Sequence, residues 1–131
     1  MTTDHLRTWV LINKDAFVRN VACFSAIVGQ HVKIAFVVKS NAYGHGLLSM
    51  AMMGDEHGSI HMLCTAMTSE AIFLRCNGIR KPLLPLGIID SDYGDLIYHN
   101  IDVLVSDRVL LDKLNVVAGR LKKMCNVHIK V

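Results

Sequence analysis

No apolar run in this sequence approaches the roughly 20 residues that a bilayer-spanning helix requires, so it offers no transmembrane segment. The amino terminus, Met1 to Arg7, is polar and lacks the apolar core of a secretory signal. Charge of one sign is also scarce: the formal net charge is +3, and Lys122-Lys123 is the one notable basic pair. No basic stripe for nucleic acid emerges from such scattered lysines and arginines. The 4 cysteines, Cys23, Cys64, Cys76 and Cys125, form no C-x-x-C pair and are too sparse for a secreted disulfide scaffold. They are expected to be reduced core or helix residues of a cytoplasmic protein. Gly44-His45-Gly46 matches neither the dinucleotide glycine fingerprint nor the phosphate loop of nucleotide hydrolases. His57 and His61 are separated by Gly58 and lack the H-E-x-x-H pattern, so a loop outweighs a metal site. Met50, Met52 and Met53 read as flexible core filler.

What is present is a chain of 131 residues, 52% apolar, enough for one globular domain with its own core. Strand and helix patterns alternate along it. A short strand is expected at Thr8–Ile12, then a helix at Lys14–Val28, where Phe17, Val21, Phe24 and Val28 recur at helical spacing and Gly29 stops it. A strand comes next at Lys33–Val38, then a methionine-rich helix at Leu47–Glu56 and a strand at His61–Thr65. Thr68 or Ser69 can cap a helix running to Asn77, which Gly78 ends. Pro82–Leu86 reads as a strand, and the polar segment from Asp90 leads into a short helix to about His99. Asp102–Val105 is a further strand, with Ser106 placed to cap a helix at Asp107–Lys122. Val109, Leu110, Leu114, Val117 and Leu121 would share one side of that helix. Asn126–Val131 is the last strand. Such alternation argues for right-handed βαβ units and a parallel sheet.

The most informative segment is Ala35-Phe36-Val37-Val38-Lys39-Ser40-Asn41-Ala42-Tyr43-Gly44-His45-Gly46. Strand residues alternate sides, so Lys33, Ala35, Val37 and Lys39 share one face of a buried strand. Lys39 falls at its carboxyl end, where α/β proteins carry their active sites. An amine attacks an aldehyde only when neutral, and desolvation at a strand end favours the neutral form. Gly44 and Gly46 permit a tight turn that opens the next helix, whose amino terminus favours an anion. His45 is read as bracing that turn. In the last strand, His128 and Lys130 share one face, and Lys130 is either an inward-pointing lysine or one reaching solvent from an edge strand.

These residues resemble the cofactor-anchoring motif of the alanine racemase family, V-V-K-x-[DN]-A-Y-G-H-G, at every fixed position. Weaker likenesses include Trp9, Asp15, Ala16 and Asn20 near the start and Glu70, Ala71, Leu74, Arg75, Gly78 and Ile79 in one helix. His128-Ile129-Lys130-Val131 resembles the family's H-[IL]-K-x. The resemblance implies a pyridoxal 5′-phosphate (PLP) enzyme that interconverts L- and D-alanine for bacterial cell walls. Its family architecture is a (β/α)₈ TIM-type barrel with a mostly β carboxyl-terminal domain, assembled as a head-to-tail homodimer. It further implies that Lys39 anchors PLP and acts as a catalytic base, that Tyr43 hydrogen-bonds the phosphate, that Val37 and Leu86 flank the ring, and that Lys130 is the lysine often carboxylated on its amine.

A complete (β/α)₈ barrel takes roughly 250 residues, so about half of one is expected, with the rest of the barrel and the carboxyl-terminal domain outside this chain. In the resembled family the second base is a tyrosine of the partner subunit's carboxyl-terminal domain. The expectation is therefore an alanine racemase or an amino-terminal fragment of one, inactive alone. The alternative is a non-catalytic PLP-binding barrel module or truncated relic. A fold-related decarboxylase is a remoter reading.

Overall fold

The computed structural model describes residues 8–131. Helix α1 spans Lys14–Val28, the span expected from its periodicity. Asn13 begins it by accepting the Ala16 amide at 2.9 Å, which satisfies one of the amides that a helix start leaves without an internal partner. Gly29, at φ 82°, ends it and donates its N–H to the Ser25 carbonyl.

Five parallel strands come after it, in keeping with the alternation of patterns. β1 (Ile34–Val37), β2 (Ile60–Thr65) and β3 (Leu83–Pro85) form one sheet in chain order, with Phe36 beside Leu63 and Leu63 beside Leu83. β4 (Val103–Val105) and β5 (Val127–Ile129) form a second parallel ladder. A single backbone bond, from the Asp102 N–H to the Leu83 carbonyl at 2.9 Å, joins the two ladders at β3 and β4. The remaining elements are a single turn α2 (Lys39–Tyr43) and helices α3 (Leu47–Glu56), α4 (Thr68–Cys76), α5 (Tyr93–Tyr98) and α6 (Arg108–Leu121). Strand order that tracks chain order, with helices between, is the wrapping of a partial (β/α)₈ barrel.

The core lies between the strands and the helices that cover them. Leu63 and Leu83 are fully buried beside Ala71 and Leu74 of α4, and Leu96, Ile101, Val103 and Leu114 extend this core under α5 and α6. Each such leucine contributes about 1.5–3 kcal/mol relative to exposure.

Several expectations are corrected. Thr8–Ile12 forms no strand: Trp9 is 71% and Leu11 86% exposed, and no neighbour supplies a ladder. β1 is an edge strand rather than a buried one, with Ala35 exposed, because its far side has no partner among the described residues. Phe24 and Val28 face solvent, although Val21 of the same helix is buried. In α6 the stripe that packs inward runs through Leu114 and Ala118, while Val109 and Leu121 are exposed. Asp107, not Ser106, caps α6 by accepting the Leu110 amide at 2.8 Å. The cap of α4 also comes from elsewhere: Asp90 accepts the Ser69 amide at 2.9 Å, and Glu70 folds back to accept the Ala66 amide at 2.8 Å. The short helix expected to end near His99 is α5, which starts after Asp92, whose side chain accepts the Gly94 amide. The last strand shrinks to Val127–Ile129.

Candidate functional site

Four of the five residues singled out from the sequence lie at or just past the carboxyl ends of parallel strands. Val37 is the last residue of β1, Lys39 lies two residues later, Leu86 comes directly after β3, and Lys130 directly after β5. The β1 exit is tied down by the buried Val38, whose N–H donates to the Cys64 carbonyl at 2.8 Å. The β3 exit is held likewise, Leu86 donating to Thr65 and Gly87 to Ala66. Val37 is half-buried and pairs in register with Cys64, which in turn pairs with Leu84. Burial pushes the Cys64 thiol above its ordinary range, so it sits there as a small apolar group. Leu86 remains 38% exposed. Lys39 is half-buried, whereas Lys130 is exposed and held by its backbone N–H to the Val105 carbonyl.

Between Lys39 and Tyr43 the backbone turns the wrong way for L-amino acids. Ser40, Asn41, Ala42 and Tyr43 have φ of 54°, 54°, 50° and 53°, a complete left-handed turn containing no glycine. Such residues cost about 1–2 kcal/mol each, so compensation must come from the surroundings. Ala42 supplies part of it, being 6% exposed and donating its N–H to the Val38 carbonyl at 2.8 Å. Asn41 supplies more: its carbonyl accepts the amides of Gly44 and Gly46 at 3.1 and 2.9 Å, and its side-chain oxygen accepts the Leu47 amide at 2.8 Å. His45 places Nδ1 2.9 Å from the Ala42 carbonyl, a contact in which the ring nitrogen must donate, which is the bracing expected of it. The Leu47 amide at the start of α3 is therefore already bonded and cannot serve an anion. Tyr43, at the end of the turn, is 62% exposed.

Two polar arrangements, one in this turn and one at the amino ends of β4 and β5, are not evident from the sequence. The motif by itself gives Asn41 no role, although an asparagine shortly before a glycine is among the residues best able to adopt positive φ. The other arrangement joins β4 to β5, where the buried Asp102 carboxylate receives hydrogen bonds from Asn126 Nδ2 at 3.2 Å and His128 Nε2 at 3.0 Å. Strand alternation puts His128 on a shared face with Lys130 and says nothing of this partner. Arg75 donates to the carbonyls of His99, Ile79 and Asn100, pinning the end of α4 to the loop before β4. Burial lowers its pKa, while the charges of Asp55 and Asp102 oppose that shift. The remaining histidines of interest are structural, His57 accepting the Ser59 amide and His61 the Ile34 amide. Among the described residues no three His, Cys, Asp or Glu side chains cluster as for a metal ion, and no helix is long and apolar enough to cross a membrane.

Parallel strands wrapping in chain order, with lysine and tyrosine linked across a strained turn at one strand exit, define a partial TIM-type barrel with Lys39 on its carboxyl-end rim. Residues 12–131 match the alanine racemase N-terminal domain, and the chain belongs to that family. It is 35% identical over 130 residues to alanine racemase 2 of Caldanaerobacter subterraneus subsp. tengcongensis, covering 98% of this chain and 33% of that protein. The solved alanine racemase of Clostridium difficile 630 superposes with a TM-score of 0.78 at 32% identity, over 86% of this chain and 29% of that one. That of Bacillus anthracis, solved with bound L-Ala-P, superposes with a TM-score of 0.79 at 30% identity, over 93% and 31%. The chain thus spans about a third of the length of the relatives it matches.

Proposed function

We propose that this chain is the cofactor-anchoring portion of an alanine racemase, with PLP held through Lys39. The observation that supports this most is the left-handed turn from Ser40 to Tyr43, because backbone strain of this kind collects at ligand sites where neighbouring structure enforces it. The donor set suits the group: an amine for its aldehyde, a phenol for its phosphate, and the apolar side chains of Val37 and Leu86 for the faces of its ring. PLP, when bound, supplies an aromatic system that spreads the charge left as an amino acid loses its α-proton. The residues of the chain do the rest. Lys39 would exchange a proton with the substrate's α-carbon from one face as a general base, the Tyr43 hydroxyl would donate a hydrogen bond to the phosphate, and Val37 and Leu86 would exclude water from the ring. Lys130, on the exit of β5, is assigned the position of the family's carboxylated lysine.

L- and D-alanine as substrates, assembly as a homodimer and a cytoplasmic location belong to the same reading. In the family the second proton-transferring group is a tyrosine from the partner's carboxyl-terminal domain. These 131 residues by themselves are therefore proposed to hold cofactor without racemising alanine at a useful rate. The share of the relatives that the chain covers, about a third, favours this division. Titration of the purified chain with PLP tests the reading. A visible absorbance band should grow, and a racemisation assay should stay near background. No uptake of PLP, or robust conversion of L- to D-alanine, contradicts it.

A further inference from the structure

We propose that Asn41 is a positioning residue that fixes the distance and direction between the Lys39 amine and the Tyr43 hydroxyl, an inference that rests on both groups holding PLP. Lys39 and Tyr43 lie at opposite ends of one left-handed turn, so their relative placement depends on whether Ser40, Asn41 and Ala42 keep their positive φ. Asn41 is the one member of that turn bonded through both main chain and side chain to the segment Gly44–Leu47. Its carbonyl gathers the Gly44 and Gly46 amides, and its Oδ1 holds the Leu47 amide at 2.8 Å. The turn is thereby fastened to the first residue of α3, which packs on β2 through Gly54. An ordinary side chain at this position fails twice: it resists positive φ, and it offers no acceptor for Leu47.

Three substitutions separate these duties. Asn41→Asp keeps an acceptor and tolerance of positive φ, Asn41→Gly keeps only the backbone freedom, and Asn41→Ala keeps neither. Asn13→Ala is the control, since it removes an equivalent cap from α1 at Ala16 without touching the turn. PLP affinity is read from the visible band, and amide hydrogen exchange at Leu47 is read in the cofactor-free protein. Asn41→Gly should bind PLP about tenfold more weakly, with faster Leu47 exchange, the size expected for one lost cap, and Asn41→Ala, which also resists the positive φ, should bind more weakly still. Asn41→Asp should stay within about twofold of wild type in both readings.

A cap that served only stability would give Asn13→Ala and Asn41→Ala the same loss of affinity, and that result overturns the proposal. So does wild-type affinity in Asn41→Gly, or failure of Asn41→Asp to restore binding. If the wild-type chain itself takes up no PLP, the reading of Lys39 fails and the positioning role falls with it. Weak binding confined to the Asn41 variants is not produced by that failure.

Discussion

Asp102, directly before β4, holds His128 on β5 through a 3.0 Å contact between carboxylate and ring Nε2, and the carboxylate side chain is only 9% exposed. The same carboxylate takes Asn126 Nδ2, while the Asp102 amide reaches across to Leu83. One residue therefore joins the last ladder to itself and to the first sheet. Asp102→Ala would leave Asn126 and His128 without their acceptor, a loss of about 1–3 kcal/mol. Chemical denaturation should show a lower midpoint for Asp102→Ala and a partial recovery in Asp102→Asn, which keeps one acceptor oxygen.

A second prediction concerns the exit of β3. A Cβ at Gly87 would sit 2.7 Å from the Ala66 carbonyl oxygen, which is backbone and cannot swing away as a side-chain tip could. Gly87→Ala should cost about 1–3 kcal/mol and displace Leu86, its neighbour on the proposed ring-binding rim. Thermal unfolding should report the loss, and PLP affinity should fall with it. An unchanged melting temperature would contradict the packing at this point.

Acid sensitivity is set in part by Asp90. Hydrogen bonds from the Ser69 and Thr68 hydroxyls, and then from the Ser69 amide, hold this exposed carboxyl well below the usual carboxylate range. A pKa depressed in the folded state stabilises the fold above the unfolded value, about 4 for aspartate, and the contribution is lost as pH falls through the folded value. Asn at this position does not titrate. The melting-temperature gap between wild type and Asp90→Asn should therefore be constant from pH 7 to 5 and narrow below about pH 4. A gap that widens on acidification would give the wrong sign.

Much of this architecture is legible in the sequence because local signals agree with the global fold. The α1 boundaries coincide with the periodic run between the Asn13 cap and Gly29, and the alternating strands arise from short apolar runs between capped helices. Lys39 and Tyr43 are legible through their motif, since spacing alone places both beyond the end of β1. Their connection is not. Propensity assigns positive φ to Gly44 and Gly46, which have it, but gives no warning that four non-glycine residues before them share it. That conformation is imposed by contacts with Val38, Gly44, Gly46 and Leu47. The Asp90 cap on α4 and the bond from Asp102 to His128 are equally invisible locally, spanning 21 and 26 residues of sequence. Trp9 to Ile12 illustrates the reverse case, a strand-like apolar pattern that finds no ladder to join.

The assignment of Lys39 as the PLP anchor is tested most directly by incubating the chain with PLP, reducing with borohydride and mapping the modified peptide by mass spectrometry. The modification should fall on Lys39 alone, and Lys39→Ala should remove both the label and the visible band. Label spread over Lys33, Lys130 and other lysines, or label that persists in Lys39→Ala, would contradict the account.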